Sequence, residues 1–207
     1  MAEHLPGQFI VLDGPEGGGK STQVARLVNR LSAEGRRAIA ARDPGSTPVS
    51  EHIREILLDR RAGDMDARTE VFLYMASRAE MVARVIRPAL EAGRIVVCDR
   101  FVSSTVAYQG FAGGVDPAAI WELGRLATGG IEPDFTVILD LAVEAGFARL
   151  RRSHDRMESK DRAYHEKVRQ GFLEMARAEA ERFAVVDASR PEDEVAEAIW
   201  SAVQKVL

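Results

Sequence analysis

The 207-residue chain holds a single cysteine, Cys98, so no disulfide can form within it. A lone thiol fits a reducing compartment. Cys98 sits in the apolar run IVVC, where it reads as a small buried hydrophobe and not as a reactive group. Nowhere does an apolar run approach the ~20 residues needed to span a bilayer. The opening MAEHLPGQ lacks a charged segment followed by an apolar one, so no secretory signal is expected and the expected location is the cytoplasm. No excess of positive charge exists either. The formal net charge is -4, which argues against whole-chain attraction to nucleic acid or to an anionic membrane. Any anion must therefore be held by a local cluster of Arg, Lys and backbone N–H groups. The four histidines, His4, His52, His154 and His165, show no metal-ligand spacing, and none is assigned a catalytic role. There is no internal repeat, low-complexity tract or linker, so residues 1–207 read as one domain.

What is present is an alternation of two periodicities. Short apolar runs at Phe9–Leu12, Ala38–Ala41, Ile95–Cys98, Phe135–Leu139 and Phe183–Val186 lack apolar/polar alternation, as expected of strands covered on both faces. Amphipathic stretches near 21–34, 49–59, 67–90, 102–109, 116–128, 143–152, 161–182 and 192–206 lie between and after them. The pattern predicts a doubly wound α/β fold with a parallel sheet. Ligands of such folds bind at the C-terminal ends of the strands.

That is where the unusual residues fall. After FIVLD comes GPEGGGKST, which matches G-x-x-x-x-G-K-[ST] through Gly14, Gly19, Lys20 and Ser21. Residues Gly14, Pro15, Glu16, Gly17, Gly18 and Gly19 would curl so that backbone N–H groups face phosphate oxygens. Lys20 would reach the β and γ phosphates, and Ser21 and Thr22 open a helix whose positive end faces the anion. The motif follows an apolar strand and opens a helical run, the context its mechanism requires. Asp99 ends the run IVVCD and stands where a second acid would help Ser21 hold Mg²⁺, directly or through water. On its own such an Asp is more often a cap or a turn residue, and the neighbouring phosphate loop favours the functional role.

A phosphate loop indicates a nucleotide without naming an acceptor. Four further segments do, and they resemble thymidylate kinases: RDPGST (42–47) is similar to R-E-P-G-G-T, FLYMASRAE (72–80) to L-F-A-A-S-R-x-x, DRFVSSTVAYQG (99–110) to D-R-Y-x-x-S-x-x-A-Y-Q-G, and DRMES (155–159) to the lid pattern D-R-I-E-x. The resemblance spans nearly the whole chain in order, and the third segment is the most specific. It implies transfer of the γ-phosphoryl of ATP to the 5′-phosphate of dTMP, strand order 2-3-1-4-5, magnesium as cofactor and a homodimer. Carried over residue by residue, it puts Arg42 and Arg100 on the acceptor phosphate, with Asp43 beside them. It puts Arg78 and Tyr74 on the thymine ring, Thr105 and Gln109 at the base edge, Tyr108 beside the sugar and Glu16 near the 3′-hydroxyl, with Ser104 also in the dTMP site. The departures are Asp43 and Ser46 for the family's Glu and Gly, Tyr74 for a Phe, and Lys160 for an acid. Asp43–Pro44 is expected to be a cis peptide. A lid is expected at about 149–160, and its Arg152 and Arg156 are expected to act catalytically beside Lys20 and Asp99, while Arg149 and Arg151 form a solvated face.

Three other readings share the loop. A kinase for another small acceptor would lack the SSTVAYQG segment. A GTPase switch would carry N-K-x-D, which this chain does not. A nucleotide-dependent scaffold would need no acceptor pocket.

Overall fold

The computed structural model describes residues 5–150 and 155–207. Five strands, β1 (Gln8–Asp13), β2 (Ala38–Arg42), β3 (Ile95–Asp99), β4 (Phe135–Asp140) and β5 (Phe183–Asp187), form one sheet in the order β2-β3-β1-β4-β5. All four pairings are parallel. The order expected from the resemblance is the order found, with Phe9–Leu12 at the centre.

The run of apolar residues in β1 is explained by what covers it. Phe9 and Val11 enter one core with Val96 and Cys98 of β3, while Ile10 and Leu12 enter a second with Val97, Val137 and Leu139. Successive side chains leave opposite faces, and each face meets its own helical layer, so no polar alternation survives. The helices α1 (Lys20–Ala33) and α9 (Glu192–Val203) supply the second core through Val24, Leu27, Leu31, Ile199 and Trp200. The first core is closed by α3 (Ala67–Met81), α6 (Pro117–Thr128) and α8 (Arg162–Ala178), with α2 (Pro48–Leu58) packed on α3.

The stretch 67–90, expected as one helix, runs helically to residue 91 with an interruption. A π-helical segment, Val82–Ile86, joins α3 to α4 (Arg87–Glu91), just ahead of Pro88, whose ring cannot fit an unbroken α-helix. A second π segment, Val106–Ala112, continues the short helix α5 (Val102–Thr105). Such widened turns cluster at functional sites, and this one carries Tyr108 and Gln109. Asp43–Pro44 is cis, as expected. No helix among the described residues is long and apolar enough to cross a membrane.

One contact ties the phosphate loop to the helical layer. Helix α7 (Val143–Arg149) lays Gly146 directly on the loop, so that a Cβ added there would meet the Glu16 carbonyl at 2.4 Å. Seen from the loop, a Cβ on Gly17 would meet the Gly146 carbonyl at 2.3 Å. Only backbone fits between them. Gly35 offers the opposite case, a left-handed residue with nothing around it. Gly35→Ala should cost about 1 kcal/mol from backbone strain alone. Gly146→Ala should cost on the order of 1–3 kcal/mol, because the phosphate loop must move. Urea unfolding of both variants measures the difference, and equal losses would contradict this packing.

Candidate active site

A cavity of about 330 Å³ opens at the C-terminal ends of the central strands. Its floor is the phosphate loop, which contributes Glu16, Gly17, Gly19, Lys20, Ser21 and Thr22. Its walls come from the end of β2 (Arg42, Asp43), the end of β3 (Asp99, Arg100), α3 (Tyr74, Arg78) and the α5–π segment (Ser104, Thr105, Tyr108, Gln109). Asp155, Met157 and Glu158 close one side. The topology forces this assembly: parallel strands deliver their C-terminal residues to one edge, and the order reversal around β1 leaves the crevice there.

The phosphate-loop end is built for an anion. Gly19, in the left-handed conformation, precedes α1, which has neither a capping side chain nor an acidic residue in its first turn. By contrast, Thr47 caps α2 with its side chain. The N–H groups opening α1 thus lack a side-chain acceptor and carry the positive end of the helix dipole. Lys20 is buried, and its Nζ donates to the carbonyls of Gly14 (3.0 Å) and Pro15 (2.5 Å). Burial and the nearby Arg100 lower its pKa to about 8 against the pull of Asp99, Glu16 and Asp13. The Ser21 hydroxyl donates to Asp99 Oδ2 at 2.5 Å. Gly14, Pro15 and Gly18 shape the loop without lining the cavity: the first two supply carbonyls to Lys20, and Gly18 packs on Leu139.

Arg100 stands between the two ends. Its backbone is left-handed (φ 70°), an unusual state for a residue with a Cβ and a kind of strain that collects at functional sites. Its N–H donates to Leu12 O at 3.0 Å, and its guanidinium donates to Gly14 O (3.0 Å), Ser104 Oγ (2.8 Å) and the Tyr108 hydroxyl (3.2 Å). It also approaches Asp13 Oδ1 at 3.4 Å and Glu16 Oε1 at 3.7 Å. Burial disfavours its charge, but Tyr108, Glu16, Asp13 and Asp99 outweigh burial and push its pKa up. The Tyr108 hydroxyl donates in turn to Glu16. Burial would raise the Glu16 pKa, yet His165, Arg100, Lys20 and Tyr108 hold it at about 2.

The far wall is a second polar layer. Arg78 is 1% exposed and not solvated; its guanidinium pairs with Asp43 Oδ2 at 2.6 Å and donates to Phe101 O and Thr105 Oγ1, both at 3.1 Å. Burial raises the Asp43 pKa in spite of Arg78. Gln109 donates its amide N–H to Glu70 Oε2 at 2.7 Å. Burial likewise raises the Tyr74 and Tyr108 hydroxyl pKa values. Arg42, half exposed, lies on the rim and pairs with Glu51 at 2.8 Å.

Two lid arginines stand elsewhere in this structure than at the phosphates or in solvent. Arg156 does not line the cavity. Its side chain is buried, donates to Leu57 O at 2.8 Å and pairs with Glu70 at 2.6 Å, so a buried carboxylate has claimed the guanidinium expected at the phosphates. Arg149 is not simply solvated: it donates to Ala188 O (2.9 Å) and to Gly17 O of the phosphate loop (3.3 Å). Arg151 and Arg152 lie outside the described residues.

Three residues of the site were not singled out from the sequence. Asp13, fully buried, accepts from Gly14 N–H (2.9 Å), Ser103 Oγ (2.7 Å) and Ser104 Oγ (2.6 Å). Its place at the end of β1, immediately before the loop, was a usable signal. His165, also buried, sets Nδ1 3.4 Å from Glu16 Oε2 between the rings of Phe147 and Tyr164. Nothing in its spacing announced this. Glu70 shows in sequence only as an acid on a helix.

Known proteins resemble this chain over nearly its full length. The family model described as thymidylate kinase matches residues 12–199. The chain is 47% identical over 201 residues to a thymidylate kinase of Deinococcus radiodurans, covering 96% of this chain and 97% of that one. It is 46% identical over 200 residues to one from Symbiobacterium thermophilum, covering 96% and 94%. The crystal structure of a thymidylate kinase from Ehrlichia chaffeensis superposes with a TM-score of 0.79 at 30% identity, over 96% of this chain and 99% of that one. A phosphate loop opening into a polar cavity, and likeness to these proteins over nearly its full length, place the chain in the thymidylate kinase family, nucleoside monophosphate kinases that transfer a phosphoryl group to dTMP.

Proposed function

We propose that this chain transfers the γ-phosphoryl of ATP to dTMP within the single cavity described above, with the roles divided along its length. The observation that carries this division is the cavity's two polar ends, the phosphate loop with Lys20 at one and the Arg78–Thr105–Gln109 wall at the other, with Arg100 between them. ATP phosphates lie on residues 14–22. The acceptor phosphate lies on Arg100 and Arg42, and its base lies against Tyr74, Arg78, Thr105 and Gln109, with Ser104 setting Arg100 and Asp43 setting Arg78. Tyr108 and Glu16 border the deoxyribose.

The chemistry asks little of acid–base catalysis. An oxygen of the acceptor phosphate attacks the γ-phosphorus; the new O–P bond forms as the bond to the β-phosphate oxygen breaks, and ADP leaves with that electron pair. The acceptor is already an anion, so no general base is required. What the residues supply is alignment and positive charge. Lys20 follows the transferring group, Arg100 offsets the repulsion between the two phosphates, and Arg152 of the lid, about 149–160, remains the proposed donor-side arginine. Ser21 and Asp99 present two hard oxygen atoms 2.5 Å apart beside the loop, a donor pair suited to Mg²⁺ that relies on phosphate and water for its other ligands. When bound, the ion neutralises charge on the ATP phosphates. The reaction belongs in the cytoplasm, where ATP is at hand, and the chain acts as one domain.

The same reading includes a homodimer. Phe72 on α3 is 62% exposed, and Val49 and Ile56 on the adjoining α2 and Leu126 on the adjoining α6 are exposed as well. Four large exposed apolar side chains on three packed helices are the side chains a second copy of this chain would cover.

Two outcomes are expected. In an ADP-release assay across a panel of nucleoside monophosphates, dTMP should give the highest kcat/KM; preference for another monophosphate would overturn the assignment of the far wall. In sedimentation at micromolar concentration the chain should run as a dimer and Phe72→Glu as a monomer; a monomeric wild type would remove the proposed interface.

A further inference from the structure

Arg156, displaced from its expected role, ends a buried chain of three side chains. Its NH1 lies 2.6 Å from Glu70 Oε1, and Glu70 Oε2 accepts from Gln109 Nε2 at 2.7 Å. All three residues are at most 5% exposed, and Gln109 lines the cavity. The Gln109 carbonyl oxygen, Oε1, is buried without a hydrogen-bond partner. A buried acceptor left open costs free energy unless something fills it.

The chemistry of the chain dictates its direction. A guanidinium is donor-only, and a carboxylate paired with it is acceptor-only. Glu70 therefore accepts from both sides, and Gln109 must turn its NH₂ toward Glu70. Its carbonyl is then the one hydrogen-bond acceptor its side chain can offer a ligand. We propose that Glu70 and Arg156 are positioning residues for specificity: they lock the Gln109 amide so that the cavity offers an acceptor to the ring edge of the base. A base with a ring N–H donor, as in thymine or uracil, satisfies that acceptor. Cytosine presents a bare ring nitrogen at the same place, and two acceptors face each other. Arg156 belongs to the segment that closes one side of the cavity, and its N–H also bonds Leu58 O at 3.2 Å, so docking of this segment and reading of the base share one ion pair. The inference rests on the dTMP reading above and deepens it.

Glu70→Gln tests the direction directly. The new amide must give its carbonyl to the donor-only Arg156, so its NH₂ faces Gln109, and the Gln109 amide reverses to present N–H to the base. Measured as kcat/KM, the preference for dTMP over dCMP should fall roughly tenfold or more, through the acceptor KM, with the KM for ATP unchanged. An unchanged dTMP-to-dCMP ratio, or equal losses for both nucleotides, would show that Glu70 is only structural and overturn the proposal. If thermal melting shows Glu70→Gln to be unfolded, a dTMP-bound structure of the wild-type chain decides. The base ring nitrogen at hydrogen-bond distance from Gln109 while Glu70 keeps the other amide atom supports the proposal, and a Gln109 turned off the base overturns it. A wild-type chain that phosphorylates other monophosphates but not dTMP would instead bring down the reading beneath the proposal, and the proposal with it.

Discussion

A carboxylate with no access to solvent organises this site. Asp13 ends the central strand, is 0% exposed, and receives a backbone N–H, two serine hydroxyls and one edge of Arg100. A buried charge is tolerable only when its lone pairs are filled and a counter-charge is near. Meeting that condition draws together the first residue of the phosphate loop, the start of α5 and the guanidinium between the two ends of the cavity. The left-handed backbone at Arg100 is part of the same arrangement, since its N–H closes on Leu12 O, one residue before Asp13. Replacing one partner of such a set usually costs more than the set contributes, because the remaining charge is left uncompensated.

Charges are distributed so that each cation of the site among the described residues is already partnered but not exhausted. Lys20 rests on two loop carbonyls, Arg100 on Asp13, Glu16 and Tyr108, Arg78 on Asp43 and Arg42 on Glu51. Side chains held this way lose little rotamer freedom when a polyanion enters, so the positive field is preorganised. Glu16 shows the reverse side of this. It is held ionised to about pH 2 by its neighbours, and it keeps a negative charge within a basic cavity beside Tyr108.

Much of this was legible in the sequence, for identifiable reasons. The strands were readable because the two-sided burial of a parallel sheet leaves unbroken apolar runs, and the phosphate loop because its glycines and lysine answer to one geometry. The cavity residues on 99–110 were readable only through a family pattern. Tyr108 and Gln109 in isolation are an aromatic and an amide on a helix. What sequence could not give was the pairing of charges. Arg156 carries the motif expected of a phosphate ligand, yet the buried Glu70, 86 positions away, takes it. His165 has no spacing signal, yet the fold brings it to Glu16. Asp13 was visible as a strand-end acid, but its burial depends on Ser103 and Ser104 arriving from another layer. Ion pairs between distant segments are decided by packing, and local pattern does not encode packing.

The central claim is that Arg100, set in place by Asp13, holds the acceptor phosphate and not the donor. Isothermal titration of Arg100→Lys with dTMP and, separately, with ADP tests it most directly. The lysine keeps a positive charge but cannot span Asp13, Ser104 and Tyr108 as a planar fork does. Affinity for dTMP should fall by about tenfold or more, the loss of a charge-assisted hydrogen bond, while affinity for ADP stays within about twofold. Equal losses for the two nucleotides, or a loss confined to ADP, would contradict it.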